Sequence, residues 1–307
     1  VTLRNAGITM PVLVLNPVTN RYTSLFANRL EPAVFSVEEL DRLIAEAAKA
    51  GVDHYPVHIK LDTGMHRVGF VEEQLPELIE RLSRPDACHV DVVSVFSHLA
   101  TADCLDMDRY TLSQMDSYDN MCSILRQGLG HDFRRHLLNS AGMLRYGMAP
   151  DRHYDMARLG IGLYGLIPYE SPESSRLKTV AALRTTVISL KRLPAGSPVG
   201  YGCRGHVERE SIIATLPIGY ADGVNRRFGC GAASFMVRGV ECPTVGNICM
   251  DLCMIDVTDV PGVSLGDSVE IFGPSMPVQR LSDLLGTIPY EIFTSVSARV
   301  RRTYFRH

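Results

Sequence analysis

The spacing of hydrophobic and polar residues changes about halfway along the chain. In the first half, short apolar runs alternate with segments whose apolar residues recur every three or four positions, the spacing of a helix face. The runs predict six strands: VLVLN, AVFSV, PVHIKL, VDVVSVF, HLLNS and MARLGI. Because strands and helices alternate, we expect a parallel sheet with helical crossovers, either most of a (β/α)8 barrel or an open doubly wound sheet.

Three amphipathic helices are predicted between these strands. The first begins at Ser36 and has Glu39 three positions later, the spacing of a capping box, and Gly51 is a typical helix stop. The second runs through LPELIERL, and the third has apolar residues from Met115 onward and ends at Gly128. These helices supply the crossovers that parallel strands require.

The second half of the chain has a different pattern of apolar and polar residues. A polar stretch at residues 171–175 reads as a linker. After it, short apolar runs are separated by Gly, Pro and Asp turns, and helical periodicity almost disappears. We therefore predict an α/β domain over residues 1–172 and an all-β domain over residues 173–307.

Composition and charge exclude several classes of protein. The chain has 307 residues, and its 31 basic and 34 acidic side chains give a formal net charge of −3. Without a basic run it has no electrostatic footprint for nucleic acid, and no apolar stretch reaches the roughly 18 residues that span a bilayer. The first residues, VTLRNAGITM, lack the pattern of a secretory signal. We expect a cytoplasmic protein that binds neither nucleic acid nor membrane.

The eight cysteines predict neither disulfides nor a metal site. They form no C-x-x-C pair, and Cys249 and Cys253 have no suitable partner pair nearby in the sequence. A chain of this length needs no covalent staples. We expect buried, reduced thiols and no structural zinc.

Unusual polar groups follow the predicted barrel strands, where an active site would lie. KLDTGMHRVGF puts Lys60 and Arg67 after one strand, and an arginine fork suits a carboxylate, although a surface ion-pair cluster is the plainer interpretation. His98 follows another strand, where a structural histidine is common. The small residues of NSAG and RLGIG can present backbone N–H groups to a phosphate, but such turns are frequent. Tyr201 lies between two glycines, which is also ordinary for a turn.

Taken together and in order, these motifs resemble alanine racemase, a family of pyridoxal phosphate enzymes. The resemblance rests on IKLDTGMHRVGF, FSHLATAD, NSAG, ARLGIGLYG, VGYG, LPIGYADG, VGNICMD and IPYEIFTSVSARV, which span essentially the whole chain. It implies a (β/α)8 barrel followed by a β domain, interconversion of L- and D-alanine, supply of D-alanine for peptidoglycan, and a homodimer with shared active sites.

The resemblance also implies a role for each matching residue. Tyr201 matches the catalytic tyrosine, and Arg67 matches the arginine that holds the substrate carboxylate. His98 matches the histidine against the cofactor ring, and Arg158 matches the arginine at the pyridine nitrogen. The residues that match the phosphate site are Ser140, Gly160, Ile161 and Tyr290. Tyr220 and Met250 match the substrate entrance, and Lys60 and Asp251 match supporting residues. Lys60 corresponds to a lysine that is carbamylated in some members.

The implied chemistry needs two acid–base groups. Racemisation removes the α-hydrogen from one face and returns one to the other, so the groups must lie on opposite faces. The resemblance assigns one face to the lysine that carries the cofactor and the other to Tyr201. A free tyrosine has a pKa of about 10, so a charge bias through His98 to Arg158 is expected to favour its phenolate. Because arginine stays charged, the pyridine nitrogen is expected to remain unprotonated, which disfavours transamination.

One departure from the family pattern concerns the cofactor lysine. The family carries it near the N-terminus in a motif of the type V-K-A-x-A-Y-G-H-G, and nothing similar occurs among the four lysines here, at positions 49, 60, 178 and 191. We expect the chain to be part of a longer polypeptide, because a barrel without its first two strands would expose open edges. The alternatives are a truncated homologue that binds without catalysis, and a transfer of the cofactor to Lys60.

Three other functions remain as alternatives. A decarboxylase of the same fold would need different residues on the substrate side of the site. The GYADG and CMD motifs argue against that alternative. A racemase for another small amino acid, such as serine, is harder to separate because Tyr220 and Met250 mainly restrict size. A non-catalytic binding module is the alternative outside the enzyme class.

Overall fold

The computed structural model describes residues 1–17, 21–149, 152, 154–167, 169 and 177–305. The chain divides into two compact units, Val1–Arg176 and Leu177–His307. The predicted linker at residues 171–175 and the predicted boundary between residues 172 and 173 lie outside the described residues.

The first unit is built on a parallel sheet whose strands lie side by side in chain order. The five strands are β1 (Leu13–Val14), β2 (Glu31–Val34), β3 (Tyr55–Lys60), β4 (Val90–Phe96) and β5 (Arg134–His136). Sequential parallel strands with crossover helices are the arrangement of a (β/α)8 barrel, so the sheet forms part of such a barrel.

Three of the six helices described in the first unit follow the predicted apolar spacing, and the other three, which are the first, second and sixth, were not predicted. The six are α1 (Thr2–Asn5), α2 (Tyr22–Ala27), α3 (Val37–Ala50), α4 (Leu75–Leu82), α5 (Asp108–Leu129) and α6 (Ser140–Tyr146). The buried core lies between the sheet and the helices, and α5 contributes Met115, Tyr118 and Leu125 to it.

Local signals in the sequence define the ends of these helices. The Ser36 hydroxyl accepts from the backbone N–H of Glu39 and caps α3, and Gly51 ends α3 with a φ of 65°. A positive φ suits glycine because it has no Cβ. The predicted end of α5 at Gly128 is slightly early, since the helix continues to Leu129 and Gly130 takes the left-handed position.

Two strand predictions differ from the structure. HLLNS contributes only His136 to β5, because the next residues turn into α6, which Asn139 caps through its side chain. MARLGI forms a single parallel bridge between Met156 and His136 and then a short 3₁₀ helix at Ile161–Tyr164. The other four predictions each coincide with a strand, although AVFSV contributes only its first two residues to β2 and VLVLN only two residues to β1.

The second unit is dominated by antiparallel strands, as predicted. They are β6 (Leu183–Thr186), β7 (Ser189–Leu193), β8 (Pro198–Val199), β9 (Gly205–His206), β10 (Ser211–Leu216), β11 (Ser234–Val237), β12 (Val240–Pro243), β13 (Cys253–Asp256) and β14 (Ser268–Phe272). They form sheets in the orders β13-β10-β7, β12-β11-β14-β6 and β8-β9.

Two helices of the second unit were not predicted. They are α7 (Val278–Leu285) and α8 (Pro289–Ser295), each only seven or eight residues long. Val278 and Leu281 are buried at helical spacing, which is too short a pattern to stand out among strand-like runs.

The eight cysteines are all unpaired, but only Cys122, Cys242 and Cys253 are buried, so the expectation of buried thiols is wrong for the other five. Among the described helices, none combines the length and the apolar character that a bilayer crossing needs.

Candidate active site

The carboxyl ends of β3, β4 and β5 bring the polar motifs of the first unit to one edge of the sheet. Lys60 pairs in register with Phe96, and Phe96 pairs with His136. The Lys60 Nζ and the Arg158 Cζ each lie 5.3 Å from the centre of the Phe96 ring. The His136 ring stacks on the same Phe96, with centroids 4.9 Å apart. The predicted residues Lys60 and Arg158 therefore lie in one cluster.

The loop after β3 is closed by backbone hydrogen bonds. Asp62 donates its N–H to the carbonyl of Phe70 at 2.8 Å, and Phe70 donates to the carbonyl of Lys60 at 2.9 Å. Gly69 has a φ of 130°, and a Cβ there would lie 2.7 Å from backbone atoms of Leu61 and Asp62. Only glycine fits this close approach.

Arg67 is presented by this loop with an exposed side chain. The Asp62 carboxylate shapes the loop by accepting from the backbone of Gly64 at 3.1 Å and of His66 at 2.9 Å. Within the described part of the chain, no hydrogen bond or ion pair engages the Arg67 guanidinium. Its fork is therefore available for a carboxylate, as predicted from the motif.

Arg158 is the centre of the cluster. Its Nη1 donates to the Nδ1 of His136 at 2.8 Å and to the His136 carbonyl at 2.9 Å. Its Nη2 donates to the carbonyls of Ser97 at 2.5 Å and Leu137 at 3.1 Å, and reaches the Nδ1 of His98 at 3.4 Å. Burial lowers the pKa of the guanidinium to about 10, so it stays charged at neutral pH.

His98 and Lys60 are both made less basic by this environment. Burial, followed by the charge of Arg158, lowers the pKa of His98 to about 4. The same two causes lower the pKa of the Lys60 amine to about 8. Because an arginine can only donate, its contact with the His98 Nδ1 leaves the ring proton of neutral His98 on Nε2.

The predicted phosphate residues of the first unit also lie together. The Ser140 hydroxyl, at the start of α6, accepts from the backbone of Gly160 at 2.9 Å and of Gly162 at 3.2 Å. Among the described residues, the backbone N–H groups of Ser140, Ala141 and Ile161 have no acceptor. Unpaired N–H groups at a helix start can bind an anion.

In the second unit, Tyr201 is on a tight turn and its side chain is 74% exposed. Gly200 and Gly202 flank it with φ values of 78° and 68°. Asn247 donates its side-chain N–H to the Tyr201 carbonyl at 3.0 Å and ties the turn to the loop at residues 246–251. The flanking glycines thus supply backbone conformations that other residues adopt at a cost.

The same loop is hydrogen-bonded through its backbone to the segment that begins at Tyr220. The backbone N–H of Tyr220 donates to the Cys249 carbonyl at 3.0 Å, and that of Ala221 donates to the Met250 carbonyl at 3.0 Å. A Cβ on Gly219 would lie 2.3 and 2.4 Å from these two carbonyl oxygens, so only glycine fits. Tyr220 is 44% exposed and Met250 is 55% exposed.

Arg299 is a bracing residue that sequence reasoning missed. Its Nε donates to Asp222 at 2.7 Å and its Nη2 donates to Asp251 at 2.5 Å, which joins the GYADG and CMD motifs. Asp251, predicted to be supporting, therefore has a partner. Tyr290, predicted for the phosphate site, lies on α8 of this second unit.

His136, Ser97 and Asn139 were also missed. His136 and Ser97 bind the Arg158 guanidinium, and Asn139 caps α6. Asn139 has a signal in the sequence, since an asparagine before a helical segment is a common N-cap. His136 has none, because an isolated histidine in an apolar run is usually structural.

Family models match both units. The model described as "Alanine racemase, N-terminal domain" matches residues 1–168, and "Alanine racemase, C-terminal domain" matches residues 180–304. The chain belongs to the alanine racemase family. The resemblance seen in the motifs is thereby confirmed, as is the predicted barrel followed by a β domain.

Individual relatives agree with this assignment. The alanine racemase of Desulfovibrio desulfuricans is 37% identical over 98% of this chain and 80% of its own length. The crystal structure of alanine racemase from Bacillus anthracis with bound L-Ala-P has a TM-score of 0.87 and 31% identity, over 99% of this chain and 78% of that one. Alanine racemase from Bartonella henselae with covalently bound pyridoxal phosphate has a TM-score of 0.84 and 27% identity, over 99% and 82%.

Proposed function

We propose that this member of the alanine racemase family interconverts L- and D-alanine with pyridoxal phosphate. The observation that carries the proposal is the Arg158 cluster, in which an arginine, His98 and Lys60 meet beside the Ser140 anion-binding residues in a chain that matches the family over both units. Relatives named alanine racemase support the reaction.

The residues present fit pyridoxal phosphate. Its phosphate needs N–H and hydroxyl donors, and the Ser140 side chain with the backbone of Ala141 and Ile161 offers them. Its ring nitrogen needs a donor or an acceptor, and within the described residues the Nε of Arg158 is left without a partner while both Nη atoms are engaged. When bound, pyridoxal phosphate takes up the negative charge left when an amino acid loses its α-hydrogen.

In this proposal Arg158 determines the protonation state of the ring nitrogen of pyridoxal phosphate. An arginine cannot give up its proton at neutral pH, so it donates a hydrogen bond without protonating its partner. The carbonyls of Ser97 and Leu137 and the His136 ring fix the two Nη atoms, so that Nε points in one direction only. The side chain therefore orients the ring nitrogen and keeps it unprotonated.

His98 and Tyr201 form the second half of the proton path. Neutral His98 accepts from Arg158 at Nδ1 and presents an N–H at Nε2, which suits a phenolate oxygen. We assign the Tyr201 hydroxyl as the acid–base atom on one face of the substrate, with a lysine amine on the other. Tyr290 is assigned to the phosphate.

The substrate is held by its carboxylate and restricted by size. Arg67 binds the carboxylate, because its planar fork accepts two oxygens at once. Tyr220 and Met250, on segments joined by backbone hydrogen bonds, restrict the entrance to small side chains. Alanine fits this restriction best, and serine is the next amino acid to test.

We also propose that the active enzyme is a cytoplasmic homodimer that supplies D-alanine for peptidoglycan. The Tyr201 side chain, 74% exposed on a tight turn, is accessible to a second copy of the chain. In this proposal the β domain of one subunit completes the barrel site of the other.

The proposed function is tested by following optical rotation when L-alanine, D-alanine or L-serine is added to the protein with pyridoxal phosphate, expressed from its complete reading frame. We expect both alanine solutions to lose their rotation and the serine solution to change much more slowly. Borohydride reduction and peptide mapping then identify the lysine that carries the cofactor, which we expect to be a residue other than Lys60. No change in rotation, with pyridoxal phosphate retained, would favour a binding protein instead.

Lys60 is expected to react with carbon dioxide. A neutral amine forms an N–C bond to carbon dioxide and releases a proton, and burial near Arg158 lowers the pKa of Lys60 to about 8, so much of this amine is neutral in mildly alkaline solution. The carbamate would place a negative charge beside Arg67 and Arg158, two cations that now face Lys60.

Carbon-13 carbon dioxide at constant concentration gives the measurement. We expect a carbamate resonance that grows as the pH rises through about 8 and is absent from a Lys60→Arg variant, which cannot form it. Lys49→Arg, at an exposed lysine whose side chain is 71% accessible, is the matched control and should leave the resonance unchanged. Equal signals from the native protein and the Lys60→Arg variant would contradict the assignment.

A further inference from the structure

A row of hydrogen-bonded polar side chains, called the polar chain below, crosses one face of the parallel sheet and ends at Arg158. Glu31, His58, Ser94 and His136 come one each from the neighbouring strands β2, β3, β4 and β5. Ser94 is 1% exposed and His136 is 2% exposed. Bulky apolar residues usually fill the interior layers of such barrels, so a polar layer here requires an explanation.

Hydrogen bonds join these four residues to Arg158 without a gap. The distances are 2.8 Å from Arg158 Nη1 to His136 Nδ1 and 3.0 Å from His136 Nε2 to Ser94 Oγ. They are 2.5 Å from Ser94 Oγ to His58 Nδ1 and 2.9 Å from His58 Nε2 to Glu31 Oε2. Every ring nitrogen of the two histidines therefore has a partner.

The direction of every proton in the polar chain follows from its arginine end once both rings are neutral and Glu31 is ionised. Arg158 can only donate, so the His136 Nδ1 accepts and the proton of the neutral ring is on Nε2. The His136 Nε2–H then donates to Ser94, and the single hydroxyl proton of Ser94 donates to the Nδ1 of His58. The His58 Nε2–H finally donates to Glu31, a carboxylate that only accepts. With neutral rings and an ionised Glu31, one arrangement of protons satisfies all four bonds.

Both histidines are neutral in this environment, as the arrangement requires. Burial, then the charge of Arg158, lowers the pKa of His136 to about 3. Burial also lowers the pKa of His58, with Glu31 opposing and Arg134 adding to the effect. Glu31 borders an open cavity of about 720 Å³, where solvent can reach it.

We propose that Glu31, His58, Ser94 and His136 form a one-directional hydrogen-bond chain that positions Arg158, with Glu31 as its anionic end. The chain fixes the His136 ring in the tautomer that accepts from Nη1 and so holds the guanidinium in one orientation. These four are positioning residues, since none touches the substrate in the proposed reaction. The consequence for catalysis rests on the proposed function, but the proton arrangement does not.

Nitrogen-15 spectra of histidine-labelled protein at neutral pH test the arrangement directly. We expect His58 and His136 both to be neutral, with the proton on Nε2 and a bare Nδ1. A proton on Nδ1 of either ring, or on both nitrogens, would overturn the proposal. Because this measurement needs no activity, the proton arrangement can prove wrong while the racemase function holds. Equally, the arrangement can hold while the racemase function proves wrong.

Substitutions test whether the chain is continuous. Glu31→Gln keeps the shape but removes the charge, and we expect it to shift the His136 Nε2–H resonance across the intervening Ser94. In a Ser94→Ala background the same Glu31→Gln change should leave His136 unmoved. Asp53→Asn is the matched control, because it removes a carboxylate from His89, a pair outside the chain, and should not affect His136. An unmoved His136 resonance in the Glu31→Gln variant, or the same shift in the Ser94→Ala background, would contradict the proposal.

Kinetics on the complete enzyme give a second readout. We expect Ser94→Ala to lower kcat about tenfold, the size of one lost outer hydrogen bond, with a smaller change in the KM for alanine. Ser94→Thr keeps the hydroxyl and is expected to recover most of the rate. Equal kcat values for Ser94→Ala and the native enzyme would show that the chain does not position Arg158 for the reaction.

Discussion

Replacing Tyr201 with phenylalanine is expected to lower the racemisation rate by about a hundredfold to ten-thousandfold, the usual contribution of a general acid–base group. The substitution removes only the hydroxyl oxygen. The side chain is 74% exposed on a glycine-flanked turn, so the loss of one atom should leave the fold and its stability unchanged. The racemisation rate in the optical-rotation assay, together with the melting temperature, gives the measurement.

The asymmetry of this variant is seen in hydrogen exchange rather than in racemisation. Because the two enantiomers of alanine have equal free energies, kcat/KM must fall equally in both directions. Exchange of the α-hydrogen with deuterated water has no such constraint, since each face uses its own acid–base group. We expect exchange from one enantiomer to be retained and from the other to be lost. Small, equal losses from both would argue against Tyr201 as a base.

Replacing Arg158 with glutamine is expected to lower both activity and stability. The guanidinium donates to the carbonyls of Ser97, Leu137 and His136, and an amide cannot reach all three. Buried acceptors without donors cost about 1–3 kcal/mol each, so we expect the free energy of unfolding to fall by about 3–5 kcal/mol. Urea denaturation measures this loss.

The activity of the Arg158→Gln variant is expected to fall by about a hundredfold to a thousandfold, because a charged donor beside the reacting system is lost. Arg126→Gln is the matched control, since the Arg126 side chain is 44% exposed and pairs with an exposed Asp132. We expect the control to lower the free energy of unfolding by less than about 1 kcal/mol and to keep its full activity. Similar behaviour of the two variants would show that Arg158 is an ordinary surface arginine.

The sequence predicted the elements whose signals are local. The Ser36 cap, the Gly51 stop and the alternation of strands in the second unit are set by neighbouring residues, and the structure agrees with them. The strand prediction for MARLGI was wrong because only Met156 pairs with β5 and the chain enters a 3₁₀ helix after Gly160. An apolar run of this length does not by itself separate a strand from a turn.

The predicted site residues of the first unit meet, but their supporting residues were not predictable. Lys60 ends β3, His98 follows β4 and Arg158 follows the bridge at Met156, so all three lie at the carboxyl edge of one parallel sheet. The pairing of Ser94 with His58 and His136 depends on the register between strands, which the residues of a single strand do not specify. The same applies to Arg299, which braces two loops far away in the chain.

We propose that Tyr201 of one subunit and the barrel cluster of another form a single active site. Two variants, each altered in one half, test it when they are mixed: Tyr201→Phe, and Arg67→Gln, which removes an exposed guanidinium and should leave the fold intact. Each mixed dimer would contain one intact site and one doubly altered site.

The two variants are unfolded together in equal amounts, refolded with pyridoxal phosphate and assayed for racemisation of L-alanine. Random pairing makes half of the dimers mixed, so we expect about a quarter of the native activity, far above the sum of the two separate variants. Activity no greater than that sum would contradict a site shared between subunits.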